Sequence, residues 1–148
     1  MSIKIILADD YDAIRKAQRG ILEEERDFEI VGEARNGREV IQLVEQSPPD
    51  VVIMDVNMPE VNGIEATRWL RRSHPEVKVI AFSSHAEEGQ VLAMLKSGAS
   101  GYVLKPPPAH ELIQAIRTVL KGQAYVSQGL HGVLMDEMLR IDEKKRSM

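Results

Sequence analysis

Val51-Val52-Ile53-Met54-Asp55-Val56-Asn57-Met58-Pro59 opens with four apolar residues and then offers a carboxylate, an amide and a proline. The first four residues read as a strand covered on both faces, because a half-exposed strand would alternate apolar with polar residues. Asp55 therefore stands where a buried strand breaks into a loop. Ile5-Ile6-Leu7-Ala8 ends in the same way, on Asp9-Asp10, and two further strand-like runs close on Ser83 and Lys105. Four strand ends thus carry an acid pair, an acid, a hydroxyl and an ammonium.

Between these runs lie segments of helical period, and that alternation is the pattern of parallel strands joined by crossover helices. Strands are expected over residues 4–8, 29–34, 51–55, 77–82 and 101–104, and helices over 12–25, 38–46, 63–72, 87–97 and 109–121. The first helix should bury Ile14, Ala17, Ile21 and Leu22, carry Arg15, Arg19, Glu23 and Arg26 on its polar face, and be capped by Asp12. Pro48-Pro49, His74-Pro75, Gly98 and Gly122 mark the later helix ends. The expected fold is one doubly wound α/β sandwich of five parallel strands and five helices. Its ligand crevice lies outside the carboxyl ends of the strands, where Asp9, Asp10, Asp55, Ser83 and Lys105 all fall. Residues 1–122 form the domain. Residues 123–127 read as an extended linker, and 133–146 have the composition of a helix, either a frayed tail or a connection to a further unit.

Composition narrows the function. At 148 residues and 43% hydrophobic content the chain can bury one complete core. A net charge of -4 provides no basic field for nucleic-acid phosphates. The absence of cysteine excludes disulfides, thiol nucleophiles and Cys-ligated zinc. The apolar run after Met1 is too short for a signal-peptide core or a spanning helix, so a cytoplasmic protein without membrane contact is expected.

Taken singly, the strand-end residues have plain explanations. Asp9 or Asp10 could cap a helix, Ser83 could be a loop hydroxyl, and Lys105 a solvated charge. Together they supply what phosphoryl transfer requires, since its loose, charged transition state needs positioning and neutralisation more than covalent help. Asp55 would provide the attacking oxygen, and Asp10 with Asp9 would hold a hard divalent cation such as Mg²⁺. Three converging carboxylates would otherwise repel one another. Lys105 and the Ser83 hydroxyl could each donate to a phosphoryl oxygen.

The stretches LADD, DVNMPEVNG, AFSSH and SGASGYVLKP, at residues 7–10, 55–63, 81–85 and 97–106, resemble those of the receiver domain of bacterial two-component response regulators. VVGEARNG, SGASGYVLK and GQAYVS make the resemblance strongest to receivers joined to a LuxR-type (NarL/FixJ-like) helix-turn-helix. It implies a flavodoxin-like sheet of order 2-1-3-4-5. It also implies Asp55 as the phosphoacceptor of a sensor histidine kinase in a phosphorelay, with Mg²⁺ (or Mn²⁺) held by Asp9, Asp10, Asp55 and the Asn57 backbone carbonyl. Ser83 becomes the switch hydroxyl, Lys105 the phosphate-binding lysine and Tyr102 the switch aromatic. Ser83 would move toward the phosphate and let the Tyr102 ring turn inward, changing the face made by the fourth helix, fifth strand and fifth helix.

The resemblance further implies a homodimer on phosphorylation and transcriptional control through a DNA-binding half that these 148 residues do not contain. The chain then reads as a truncated piece or as a stand-alone receiver. Two departures stand out. Ser84 occupies a place where a smaller residue is usual, which would narrow access to Asp55. Pro107-Pro108 stiffen the loop after Lys105-Pro106, a bond commonly cis in such domains.

Three other readings compete. A haloacid-dehalogenase-like phosphohydrolase also uses an aspartyl nucleophile, a hydroxyl, a lysine and Mg²⁺, but its nucleophile follows the first strand, with an acid two residues on. Here that position is Asn57, which cannot act as a general acid or base. A nucleotide-binding domain would need a glycine-rich turn after the first strand, and none is present. A receiver-like module that signals by contact alone would leave the strand-end chemistry unused.

Overall fold

The computed structural model describes residues 2–84, 87–108 and 110–132. Its strands are β1 (Ile3–Ala8), β2 (Phe28–Ala34), β3 (Val51–Met54), β4 (Lys78–Ser83), β5 (Gly101–Leu104) and β6 (Tyr125–Val126), all paired in parallel in the order β2-β1-β3-β4-β5-β6. The helices are α1 (Asp12–Leu22), α2 (Gly37–Gln46), α3 (Gly63–Ser73), α4 (Glu88–Lys96) and α5 (Glu111–Leu120).

The doubly wound sheet and its five helices are as expected, but the described residues form six strands, which corrects the expected five. The sixth arises where an extended linker was anticipated. Tyr125 N–H donates to the Ser100 carbonyl at 3.1 Å and Ser127 N–H to the Tyr102 carbonyl at 3.0 Å. Two residues have no readable period, so only the open edge of β5 makes them a strand. The anticipated helix over 133–146 and the expected α5 start at Ala109 lie outside the described residues.

Every residue of β3 is buried, and the sheet is covered on both faces. One core joins β-strand side chains to α2, α3 and α4 through Val40, Val44, Leu70 and Met94, and the other joins them to α1 and α5 through Leu22, Leu112, Ile116 and Val119. Leu130, beyond β6, is fully buried in the first of these cores.

Local signals set the helix ends. Asn36 accepts from Glu39 N–H at 2.9 Å to start α2, and Asn62 with Glu65 forms a reciprocal capping box for α3. Gly98 (φ 115) and Gly122 (φ 86) follow α4 and α5 in the left-handed region, as helix-ending glycines do.

The first helix packs Ile14, Ile21 and Leu22 against the core as expected, but it differs in length and at Arg15 and Ala17. It stops at Leu22, short of residue 25, and its buried side chains are Arg15, Gln18 and Leu22, whereas Ala17 is exposed. Arg15 is buried because its guanidinium is satisfied on all sides. It donates to the Asp9 carbonyl, to Asp12 and, at 3.0 Å, to Glu33 Oε1. Asp12 is thereby diverted from capping: Tyr11 holds the N-cap position, with no side-chain cap bond.

Candidate functional site

Strand register assembles the site. Ala8 pairs with Met54 and Met54 with Ala81, so the residues that follow, Asp9 and Asp55, leave the sheet side by side. Backbone bonds fix them: Asp9 N–H donates to the Ala34 carbonyl at 3.0 Å, Asp55 N–H to the Ala8 carbonyl at 2.9 Å, and Lys105 N–H to the Ser83 carbonyl at 2.9 Å. Gly63 lets α3 begin directly against this strand end, because a Cβ there would collide with the Asp55 carbonyl oxygen. Between them Glu60 adopts a left-handed φ of 63, a sparsely populated conformation of the kind that gathers at functional loops.

The carboxylates of Asp9, Asp10 and Asp55 lie within 4.8 Å of one another and form a group that could hold a metal ion. Two ligand bonds of roughly 2.1 Å bridge oxygens about 4.2 Å apart, so the spacing suits a small hard cation. Asp10 Oδ1 is buried with no hydrogen-bond partner, and an oxygen-seeking cation would satisfy it. The neighbouring acid is well served: Asp9, fully buried, accepts from Tyr11 N–H at 3.0 Å and from Lys105 Nζ at 2.6 Å.

Lys105 Nζ also stands 3.8 Å from Asp55 Oδ1 and 5.3 Å from the Phe82 ring centroid. Asn57 N–H donates to Asp55 Oδ1 at 3.3 Å. Burial pushes the Asp55 carboxyl up to about 6; Lys105 opposes that rise, the nearby Asp9 adds to it, the Asn57 N–H lowers it and Asp10 adds again. The Lys105–Pro106 peptide bond is cis.

Ser83 and Tyr102, 1% and 0% exposed, meet a residue that the sequence did not single out. Gln90 Nε2 donates to Ser83 Oγ at 3.2 Å and to Tyr102 Oη at 3.1 Å. Tyr102 is thus already turned inward. Seven and twelve residues separate Gln90 from these partners, so no local pattern could have revealed it. Arg15 was equally hidden, since a charge on a helix reads as a solvated face. Ser84 is exposed and lines an apolar groove of about 420 Å³, together with Tyr11, Ile14, Phe82 and Pro107, beside Lys105.

Known proteins share this arrangement of sequence and fold. The family model described as response regulator receiver domain matches residues 5–117. The transcriptional regulatory protein DegU of Brevibacillus brevis is 42% identical over 148 residues, which cover 98% of this chain and 63% of DegU. The response regulator GacA of Pseudomonas syringae pv. syringae (strain B728a) is 40% identical over 125 residues, covering 84% of this chain and 58% of GacA. A solved two-component response regulator of the LuxR family, from Aurantimonas sp. SI85-9A1, superposes with a TM-score of 0.88 at 32% identity, covering 94% of this chain and 99% of that one. The chain spans about three fifths of the length of the curated relatives it matches. The haloacid-dehalogenase reading finds no support among these matches. With a family model covering most of its length and a relative 42% identical, the chain belongs to the receiver domain family of two-component response regulators.

Proposed function

We propose that Asp55 is the phosphoacceptor of this receiver and that it takes its phosphoryl group from a phosphohistidine of a sensor kinase. The observation that carries this reading is the convergence of Asp55, two further carboxylates and Lys105 at the carboxyl ends of β1, β3 and β5. Asp9, Asp10, Asp55 and the Asn57 backbone carbonyl would hold Mg²⁺ or Mn²⁺, a set suited to hard, oxygen-ligated cations. When bound, the ion neutralises carboxylate and phosphoryl charge.

An Asp55 carboxylate oxygen attacks phosphorus; the new O–P bond forms as the kinase's N–P bond breaks, and the electron pair leaves with the imidazole nitrogen. Lys105 exchanges its bond to Asp9 for one to a phosphoryl oxygen, and the Ser83 hydroxyl donates to another. Asn57 supplies no acid or base to activate water, so hydrolysis is slow and the chain is a signalling switch, without a turnover activity of its own. The apolar groove beside Lys105 is the surface we assign to the kinase.

On this reading residues 1–122 are the receiver unit, 125–130 add β6 and Leu130 to its sheet and core, and the residues that follow would lead toward an output unit. The role of DegU as a transcriptional regulatory protein, together with its greater length, supports transcriptional control through a DNA-binding half, with a second copy recruited on phosphorylation. No helix among the described residues is long and apolar enough to cross a membrane. We take the cytoplasm as the place of action.

Incubation with Mg²⁺ and acetyl phosphate should add one phosphoryl group by intact mass, and Asp55→Ala should add none. Equal labelling of that variant would overturn the assignment. No labelling of either protein would favour a module that signals by contact alone.

A further inference from the structure

Gln90 lies in the first turn of α4, half-buried, and one nitrogen of its side chain serves two hydroxyls. Nε2 stands 3.2 Å from Ser83 Oγ and 3.1 Å from Tyr102 Oη. A primary amide nitrogen carries two N–H donors, and this pair uses both. The two hydroxyls sit on neighbouring strands, where Ser83 pairs with Leu104 and Ala81 with Tyr102, and both side chains are buried. One amide from a helix therefore joins the hydroxyl that closes β4 to the ring on β5.

A hydroxyl that accepts from an amide has its own proton turned away from that amide. For Ser83 this fixes the oxygen as an acceptor on the side that faces α4. For Tyr102 it gives the buried Oη a fixed donor and so a fixed ring position. Movement of Ser83 toward Asp55 must lengthen or redirect its bond to Nε2, and the same nitrogen holds Tyr102.

We propose that Gln90 is a positioning residue that couples Ser83 to Tyr102, so that capture of a phosphoryl group at Asp55 is passed to Tyr102 and to the first turn of α4 through one side-chain amide. This rests on the phosphoacceptor reading above. Gln90→Met keeps the length of the side chain and its tolerance of a helix while removing both donors.

The test uses the full chain labelled with 3-fluorotyrosine, whose three tyrosines give three ¹⁹F resonances. The Tyr102 resonance is identified by its loss in Tyr102→Phe. Wild type and Gln90→Met are titrated with beryllofluoride in Mg²⁺, with affinity followed by calorimetry and Tyr102 by its resonance. In the wild type the Tyr102 resonance should shift on saturation. In Gln90→Met the affinity should fall about 3- to 10-fold, the equivalent of one hydrogen bond, and the shift at saturation should drop to less than half. The affinity loss should also shrink when Gln90→Met is made in the Tyr102→Phe background, because coupled residues are not additive.

The Tyr102 shift decides. A full wild-type shift in saturated Gln90→Met overturns the coupling, whatever the variant's affinity or melting temperature. Gln90→Ala supplies the same readout should Gln90→Met fold poorly. A wild-type protein that binds no beryllofluoride overturns the phosphoacceptor reading itself, an outcome distinct from failure of the coupling.

Discussion

The Lys105 ammonium donates to Asp9 Oδ2 at 2.6 Å and stands farther, at 3.8 Å, from Asp55. Asp9 is fully buried, so removing the ammonium leaves a carboxylate with neither solvent nor a cation. Lys105→Met should therefore destabilise the metal-free protein at pH 7.5 by about 3 kcal/mol, the range for breaking a buried pair. Lys105 also lowers the Asp55 carboxyl, so its loss drives that group above about 6. Urea denaturation should show the deficit narrowing at pH 5, where Asp55 takes up a proton. A deficit independent of pH would contradict this account.

Asp55 itself carries a cost in the metal-free protein. Its folded-state value of about 6 exceeds the ordinary 3.8, so between these values the folded state holds more protons than the unfolded state. Stability from this group is fully present below about pH 4 and is lost as pH rises through 6. Asp55→Asn should accordingly be more stable than the wild type at pH 7.5, by roughly 1–3 kcal/mol, with the advantage gone near pH 4. Thermal melts across pH test the sign. Adding Mg²⁺ should shrink the difference, because the ion offsets the buried charge.

Gly63 begins α3 against the Asp55 carbonyl, and its own N–H donates to the Val56 carbonyl at 3.0 Å. Gly63→Ala should push α3 away from this strand end, at about 1–3 kcal/mol in stability. It should also weaken Mg²⁺ affinity, because it displaces the Asp55 backbone. A melting temperature and a Mg²⁺ titration equal to the wild type's would show that the loop absorbs the methyl group.

Glu111 holds the sixth strand from the side: Tyr125 Oη donates to its Oε2 at 3.1 Å and Ser127 Oγ to its Oε1 at 3.0 Å, while Ser127 Oγ accepts from Leu104 N–H at 3.0 Å. Burial, followed by Glu111, raises the Tyr125 phenol above its ordinary range. Glu111→Ala should lower the phenol again and cost about 1–2 kcal/mol in stability. Hydrogen exchange should quicken at Leu104 and Ser127 more than in β3. Unchanged exchange there would mean that β6 is held by its backbone alone.

The fold was legible where burial is symmetric. Val51–Met54 read as a strand because both of its faces are covered, and Gly98 and Gly122 ended helices because each takes a positive φ. The strand-end chemistry was legible because Asp9, Asp55, Ser83 and Lys105 each follow such a run. Arg15 and Ala17 were misread because a helical pattern sorts residues by polarity, and it cannot show that Asp9, Asp12 and Glu33 converge on one guanidinium. Gln90 escaped for a related reason: its partners belong to two strands that only the folded sheet brings together. The sixth strand is a product of its neighbour, for Tyr125-Val126 has too little length to declare itself.

That short strand also alters how the molecule meets other chains. Without it, β5 would present unpaired backbone donors and acceptors along Gly101–Leu104, a template for strand-by-strand association. With it, Tyr102 and Leu104 are already engaged, and among the described residues the rim is a strand of two residues. The opposite rim, β2, is longer but is guarded by Glu29 and by Glu33, whose carboxylate binds Arg15 and Arg19. Among the described residues, then, neither rim of the sheet is left as an open invitation to aggregate.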